Sequence, residues 1–362
     1  MIVYFPMAPP IQSIADWNLQ KAGTIIDVRS PKEFKIDHIP GALNLPVLSD
    51  QQHAIVGRAH KCSRFEARKI GAGFILNNME EHLKGALKNK PRDFSPLIYC
   101  ARGGQRSKSF ATICSEIGWK CLILEGGYKR YRASVLKMLD EYSEQMGIIV
   151  ISGRTGTGKT KILTELERIG ENIIDLEKLA CHRGSLLGAF PGLEQPQQKL
   201  FETLLCEQIK SLNLKNPVFL EAESSKVGKI QIPKPLWSAM QRSPQVLIKS
   251  NRVKRAKFLV KNYPDIQKES EKLLPLFHLL ERSEPSTLVK LCEEQLRAKD
   301  WEGLAITILN SHYDKRYDRS IMRCGRKTIA ELELTELNQK NFSNIAKKLS
   351  GLCYLGHNAQ QH

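Results

Sequence analysis

Gly147-Ile148-Ile149-Val150-Ile151-Ser152-Gly153-Arg154-Thr155-Gly156-Thr157-Gly158-Lys159-Thr160 decides the fold of half the chain. Residues 147–151 are an apolar run of strand length. The turn that follows fits Gly-x-x-x-x-Gly-Lys-Thr in full, in the strand-then-helix setting that the motif requires. Gly153, Gly156 and Gly158 let the backbone approach phosphate oxygens, Lys159 supplies a positive charge, and Thr160 is placed to reach a metal ion. Such a cradle recognises a diphosphate or triphosphate end and is silent on the group attached to it. A nucleotide with Mg2+ is one candidate occupant, ATP being the default.

Outward from this loop, apolar strands are expected at 172–175, 217–221 and 245–249, separated by helical stretches. That alternation predicts a mostly parallel sheet covered by helices. The strand at 217–221 runs into Glu221-Ala222-Glu223, where such folds hold a metal or orient water with a carboxylate. Either glutamate could serve, Glu221 being assigned to the site, and pairing with Lys226 or Lys229 is the plainer use. Beyond residue 250 the pattern becomes mainly helical and basic.

In the first half, Thr24–Val28 and Pro96–Tyr99 read as buried strands, Phe65–Lys84 and Ser107–Gly118 as helices, and Cys121–Leu124 as a further strand. Glu125-Gly126-Gly127 closes that strand, and Ala133–Met146 reads as a connecting helix, so the boundary is placed near 146: domains 1–145 and 146–362. Cys100-Ala101-Arg102-Gly103-Gly104-Gln105-Arg106-Ser107 lies between strand and helix, where successive N–H groups can curl around an anion beside the thiol. Those dipoles and the Arg106 guanidinium favour thiolate, which makes Cys100 the candidate nucleophile and Arg106 its partner. Cysteine-dependent phosphatases share the Cys-x5-Arg spacing, with the arginine gripping a phosphoryl group. The loop alone leaves both chemistries open.

Composition narrows the rest. The 362 residues suffice for two cores, and 41% hydrophobic with 26% charged residues argue against extensive disorder. A net charge of +17 attracts polyanions, nucleic acid first among them, with simple solubility charge as the alternative. The acid-free stretch with Lys249, Arg252, Lys254, Arg255, Lys257 and Lys261 offers a phosphate-contacting helix face, and Tyr263, Tyr313 and Tyr317 could stack a base or fill the core. No apolar run approaches the roughly 20 residues that span a bilayer, and the start at Met1 lacks a basic leader region. A cytoplasmic, monomeric protein with no membrane contact is expected. The nine cysteines are scattered with no Cys-x-x-Cys pair, so they are read as reduced thiols, and no residues are assigned to a resident metal.

Asp27-Val28-Arg29-Ser30-Pro31-Lys32-Glu33-Phe34, followed by His38-Ile39-Pro40-Gly41, resembles the rhodanese signature. Asp27, Arg29, Glu33 and His38 are read as structural residues. The joint order of rhodanese half and phosphate loop, with Asp175-Leu176-Glu177, His182-Arg183-Gly184-Ser185, Gln195-Pro196, Phe201-Glu202, Glu221-Ala222-Glu223-Ser224 and His312-Tyr313-Asp314 with Tyr317, resembles the bacterial tRNA 2-selenouridine synthases. The resemblance implies an α/β chain in which a rhodanese-like domain precedes a P-loop NTPase-like parallel-sheet domain with a helical basic tail. It also implies exchange of sulfur for selenium at the wobble 2-thiouridine of tRNA, with selenophosphate as donor. Geranyl diphosphate would first alkylate that sulfur, and Cys100 would carry the selenium as S-selanylcysteine. His182 is retained as a substrate contact only on this resemblance. Ala101 stands where relatives often have an aromatic residue, and Gln52-His53 where a Glu-Arg pair is expected, which touches substrate detail. The competing readings are a sulfurtransferase or phosphatase fused to an ATP-dependent kinase, and an RNA-binding adaptor with idle loops.

Overall fold

The computed structural model describes residues 8–15, 23–185, 188–190, 192–268, 270–282 and 284–358. The chain divides into two compact units, residues 1–138 with 197–206, and residues 139–196 with 207–362.

The first unit contains β1 (Gln12–Ile14), β2 (Thr24–Asp27), α1 (Pro31–Ile36), β3 (Leu43–Asn44), α2 (Asp50–Cys62), α3 (Arg64–Lys84), β4 (Pro96–Tyr99), α4 (Gln105–Glu116), β5 (Leu122–Leu124) and most of α5 (Gly127–Gln145). Its five strands are parallel in the order β1-β5-β4-β2-β3. All four residues of β4 are buried, as a strand covered on both faces must be. Ile26, Ile98, Phe110, Cys114 and Ile123 form the centre of the core. Ser30 starts α1 through a capping box with Glu33, with Pro31 at the first helical position. The sequence foresaw α3 but not α2, none of whose residues is buried. Helix α5 begins at Gly127 rather than Ala133, because the Gly126-Gly127 turn feeds straight into it.

The second unit continues with β6 (Ile148–Gly153), α6 (Lys159–Arg168), β7 (Asn172–Ile174), α7 (Leu176–Leu179), the end of α8 (Gln198–Lys210), β8 (Val218–Glu221), β9 (Lys226–Val227), β10 (Ile230–Gln231), α9 (Lys234–Arg242) and β11 (Gln245–Lys249). It closes with α10 (Arg252–Asn262), α11 (Pro264–Lys268), α12 (Leu274–Leu280), α13 (Ser286–Arg297), α14 (Trp301–Ile308), α15 (Asp314–Cys324), β12 (Thr328–Glu333) and α16 (Gln339–Asn358). The large sheet is parallel, in the order β12-β11-β6-β8-β7, so the phosphate-loop strand is central and the acidic strand β8 lies beside it. Beyond residue 250 the chain is mainly helical, as expected, with one strand, β12, whose residues 328–333 return to the sheet and pair with β11. Helix α16 then lays Phe342, Ile345 and Leu349 into the core beside Ile162 and Leu166 of α6.

Candidate functional site

Cys100 leaves the carboxyl end of β4 with 3% of its surface exposed. Its Sγ accepts a hydrogen bond from the Gly104 N–H at 3.3 Å, and Ser107 Oγ lies 3.3 Å away. The same hydroxyl is 3.0 Å from the Gly104 carbonyl, so its proton can turn toward the sulfur when the thiol ionises. Burial raises the thiol pKa. Hydrogen bonds from the Ser107 side chain and from the Arg102, Ser107 and Gly104 N–H groups outweigh that effect and hold Cys100 below the usual thiol range.

The turn at 125–128 straps this loop in place: the Tyr128 N–H donates to Cys100 O at 2.9 Å and the Lys129 N–H to Ala101 O at 3.0 Å. A methyl group on Gly127 would collide with Cys100 O and come within 2.6 Å of Gly103 N, so this crossing requires glycine.

Among the described residues, Arg106 makes no hydrogen bond to the sulfur. Its guanidinium grips both carboxylate oxygens of Glu33 at 2.6 and 3.2 Å, and Glu33 also caps the Ser30 N–H at 3.0 Å. Burial raises the Glu33 pKa, but Arg106 and the cap outweigh it and leave the carboxyl below its usual range. Arg29 is bound to Asp27 at 2.6 Å, and His38 stacks on Phe34 at 3.9 Å.

In the second unit the chain turns between β6 and α6. Gly156 and Gly158 adopt φ of +82° and +79°, and a methyl on Gly153 would lie 2.7 Å from Thr157 Oγ1. The Lys159 ammonium spans the loop to the Gly153 carbonyl at 3.0 Å. Thr160 Oγ1 lies 3.4 Å from a carboxylate oxygen of Glu177, which sits in α7 just beyond β7. Glu177, Glu221 and Glu223 converge so closely that one oxygen from each lies within 4.8 Å of the others. Gly184 passes over them with φ +67°, where a methyl would stand 2.5 Å from Glu177 and 2.8 Å from Glu223. Glu221 is 3% exposed, and its Oε1 has no hydrogen-bond partner among the described residues.

Burial, followed by repulsion from Glu177, pushes the Glu221 pKa up to about 8, against the pull of Lys159 and Thr160. Glu177 and Glu223 are raised for the same two reasons. An oxygen-only donor set with an orphaned buried oxygen and a neighbouring hydroxyl suits a hard divalent cation. Glu177, Glu221, Glu223 and Thr160 are the residues that would hold Mg2+. The sequence offered Glu221 and Glu223 on one strand. Glu177 was visible there only as part of a family motif.

These groups line a cleft of about 1180 Å³ that also carries Arg183, Trp237, Tyr263, Tyr313, Arg316 and Tyr317. The Arg183 guanidinium lies over the Phe190 and Tyr263 rings, 4.3 and 4.5 Å from their centres. His182 is buried and is not among the cleft's lining residues. An apolar cavity of about 110 Å³ adjoins the cleft, sharing Thr155, Leu259, Tyr263 and Tyr313 with it and adding Leu273, Trp301, Leu304 and Ile308. A π-helical turn at Leu309–Tyr313 places Tyr313 on both spaces.

The basic stretch 249–261 is largely consumed within the fold. Arg255 is 1% exposed and binds Asp314 at 2.8 Å and the Thr155 carbonyl at 3.0 Å, bracing the phosphate loop. Lys249 pairs with Glu331 at 2.5 Å, Lys254 with Glu336 at 2.9 Å, and Arg252 with Asp314 at 3.2 Å. Those acids lie 59 or more residues downstream of their partners, which is why the stretch looked unpaired in sequence.

A profile of rhodanese-like domains matches residues 12–134, and one of the tRNA 2-selenouridine synthase AAA domain matches residues 145–274. A tRNA 2-selenouridine synthase of a Sulfurovum species is 31% identical across 83% of this chain and 89% of its own. The chain belongs to the tRNA 2-selenouridine synthase family. The synthase of Nitrosomonas europaea is 35% identical over 60% of this chain, and that of Bdellovibrio bacteriovorus 36% identical over 62%. Those two alignments span 58% and 60% of the relatives' own length. The family's AAA region ends at 274, so the apolar cavity wall from α14 lies outside the matched segment.

Proposed function

We propose that this family member is a two-centre transferase that replaces sulfur by selenium in the wobble 2-thiouridine of tRNA, in the cytoplasm. The observation that carries the reading is an apolar cavity joined to a phosphate loop, a combination suited to a diphosphate bearing a hydrocarbon chain. Geranyl diphosphate is its proposed occupant. Lys159 and the loop N–H groups would take the diphosphate, and Tyr313 and Trp301 would contact the chain. Mg2+, when held by the carboxylates, would neutralise the diphosphate as it leaves.

The thiouridine sulfur then bonds to the allylic carbon as the carbon–oxygen bond breaks, diphosphate departing with the electron pair and the uridine N3 proton passing to water. This turns a poor leaving group into a thiolate that can be displaced. Selenium from selenophosphate then replaces it at carbon 2. Cys100 is the proposed carrier, as S-selanylcysteine. Loading it requires water to take the phosphoryl group and a persulfide sulfur on Cys100 to leave as sulfide. Once the selenium bonds to carbon 2 and geranylthiolate departs, a small-molecule thiol must cleave the Cys100 S–Se bond, forming a disulfide with Cys100 and supplying the two electrons that release selenouridine.

Arg106 weighs against a phosphatase, because Glu33 occupies the guanidinium that would have to clasp a phosphoryl group. The test is purified full-length protein with tRNA bearing 2-thiouridine. Geranyl diphosphate should yield S-geranylated nucleoside by mass spectrometry, and added selenophosphate should convert it to selenouridine. Absence of both products overturns the reading.

A further inference from the structure

Helices α2 and α3 form a hairpin in the first unit, and α3 packs into the core cluster that also holds Cys100. Its inward face is Ala67, Gly71, Ile75 and Met79, spaced four apart on α3 and buried. On the outward side Phe65 is 73% exposed, and no other exposed leucine, isoleucine, valine or phenylalanine among the described residues exceeds it. Arg58, Lys61, Arg64, Arg68 and Lys69 stand exposed around the turn at Ser63. Of these, only Lys69 has an ion-pair partner among the described residues, Glu66 at 3.9 Å.

Along residues 249–261, by contrast, Lys249, Arg252, Lys254 and Arg255, four of the six cations, are answered by acids of the same chain. At the hairpin the charges remain available, and a bare aromatic ring stands among them. Cations neutralise backbone phosphates while an exposed ring stacks an unpaired base, a pairing of roles that suits single-stranded RNA. A lipid surface would instead favour a continuous apolar stripe, whereas here Phe65 and Leu76 are separated by Arg68 and Lys69.

We propose that the tip of this hairpin is an RNA-contact surface, with Arg58, Lys61, Arg64 and Arg68 on phosphates and Phe65 stacked on an unpaired base. The proposal rests on the tRNA reading above and adds to it the surface that recognises the RNA.

Filter binding of the full-length protein to tRNA across a salt series tests it. Phe65→Ala is expected to weaken binding about tenfold, and Phe65→Trp to restore it. The double change Arg64→Glu with Arg68→Glu should weaken binding by about tenfold or more and flatten the dependence of log affinity on log salt by about 2. Melting temperature and the alkylation rate of Cys100 should stay at wild-type values, which separates lost contact from lost fold. If wild-type protein binds tRNA and these variants bind it equally well, the surface is wrong and the tRNA reading stands. Loss of binding to acidic vesicles or an acidic peptide, with tRNA affinity unchanged, also overturns the RNA assignment. If wild-type protein fails to bind tRNA, the underlying reading falls with it.

Discussion

The loops at residues 100–107 and 153–160 share one construction, a buried strand, a glycine-bearing turn and a helix start, yet they are finished in opposite ways. The first is closed around a single sulfur. Its donors point at Sγ, its arginine is bound to Glu33, and the Gly126-Gly127 turn lies directly against it. The second opens onto a cleft of about 1180 Å³ and faces Glu177, Glu221 and Glu223, whose mutual repulsion can be relieved only by protons or a cation. A tight, acid-free pocket stabilises one small anion. A wide, acid-faced one suits a large anion that arrives with its own counter-ion.

The sharpest way to break this contrast is to disable each loop separately. Lys159→Ala should reduce S-geranylation by roughly 10²-fold or more while leaving Cys100 open to alkylation. Cys100→Ser should abolish selenium incorporation and leave S-geranylation intact. If Cys100→Ser also removed S-geranylation, or Lys159→Ala also blocked conversion of already S-geranylated tRNA to selenouridine, the division of labour would be wrong.

Next in size is Gly127→Ala, which must displace backbone at Cys100 and Gly103. A loss of about 2 kcal/mol in unfolding free energy is expected, read as a lower denaturant midpoint. The second unit should be unaffected by it.

The acid cluster makes a prediction of opposite character, in pH. A carboxyl whose folded pKa is raised from about 4.5 to about 8 binds more protons folded than unfolded, so its contribution is intact below 4.5 and is lost as pH climbs toward 8. Metal-free protein should therefore melt lower at pH 8.5 than at pH 6, by about 4 °C or more. Glu221→Gln should flatten that slope, and Mg2+ should restore the wild-type melting temperature at high pH. A pH-independent melt would mean that the carboxylates do not press on one another.

The smallest effect concerns Ser107. Its hydroxyl is the leading favourable contributor to the lowered Cys100 pKa, so Ser107→Ala should move the iodoacetamide pH–rate profile toward higher pH and slow alkylation at pH 7 about threefold. No shift would assign the thiolate to the backbone N–H groups alone.

Much of the fold and of the site was legible before any tertiary contact was known. The strands 24–28, 96–99, 147–151 and 245–249 announce themselves by apolar runs bounded by turns, and both loops by the positions of glycine, cysteine, lysine and threonine. Such features are local, because a glycine permits its own backbone angle and a strand buries its own side chains wherever the rest of the chain goes. Helix α2 has no buried residues, and its legible trace is the Ser49–Gln52 capping box at its start, a signal that reading by apolar spacing passes over.

Partnership was decided only by tertiary structure. Arg106 belongs to Glu33 because α1 and the start of α4 flank the same loop. Glu177 meets Glu221 because β7 and β8 are neighbours in a sheet. Arg255 is taken by Asp314, and Lys249 by the strand that returns at 328. Charge is indifferent to distance along the chain and acts only through distance in space, so the sequence alone determined which groups exist and where the loops form. Folding determined which charges are spent on each other and which remain for a ligand.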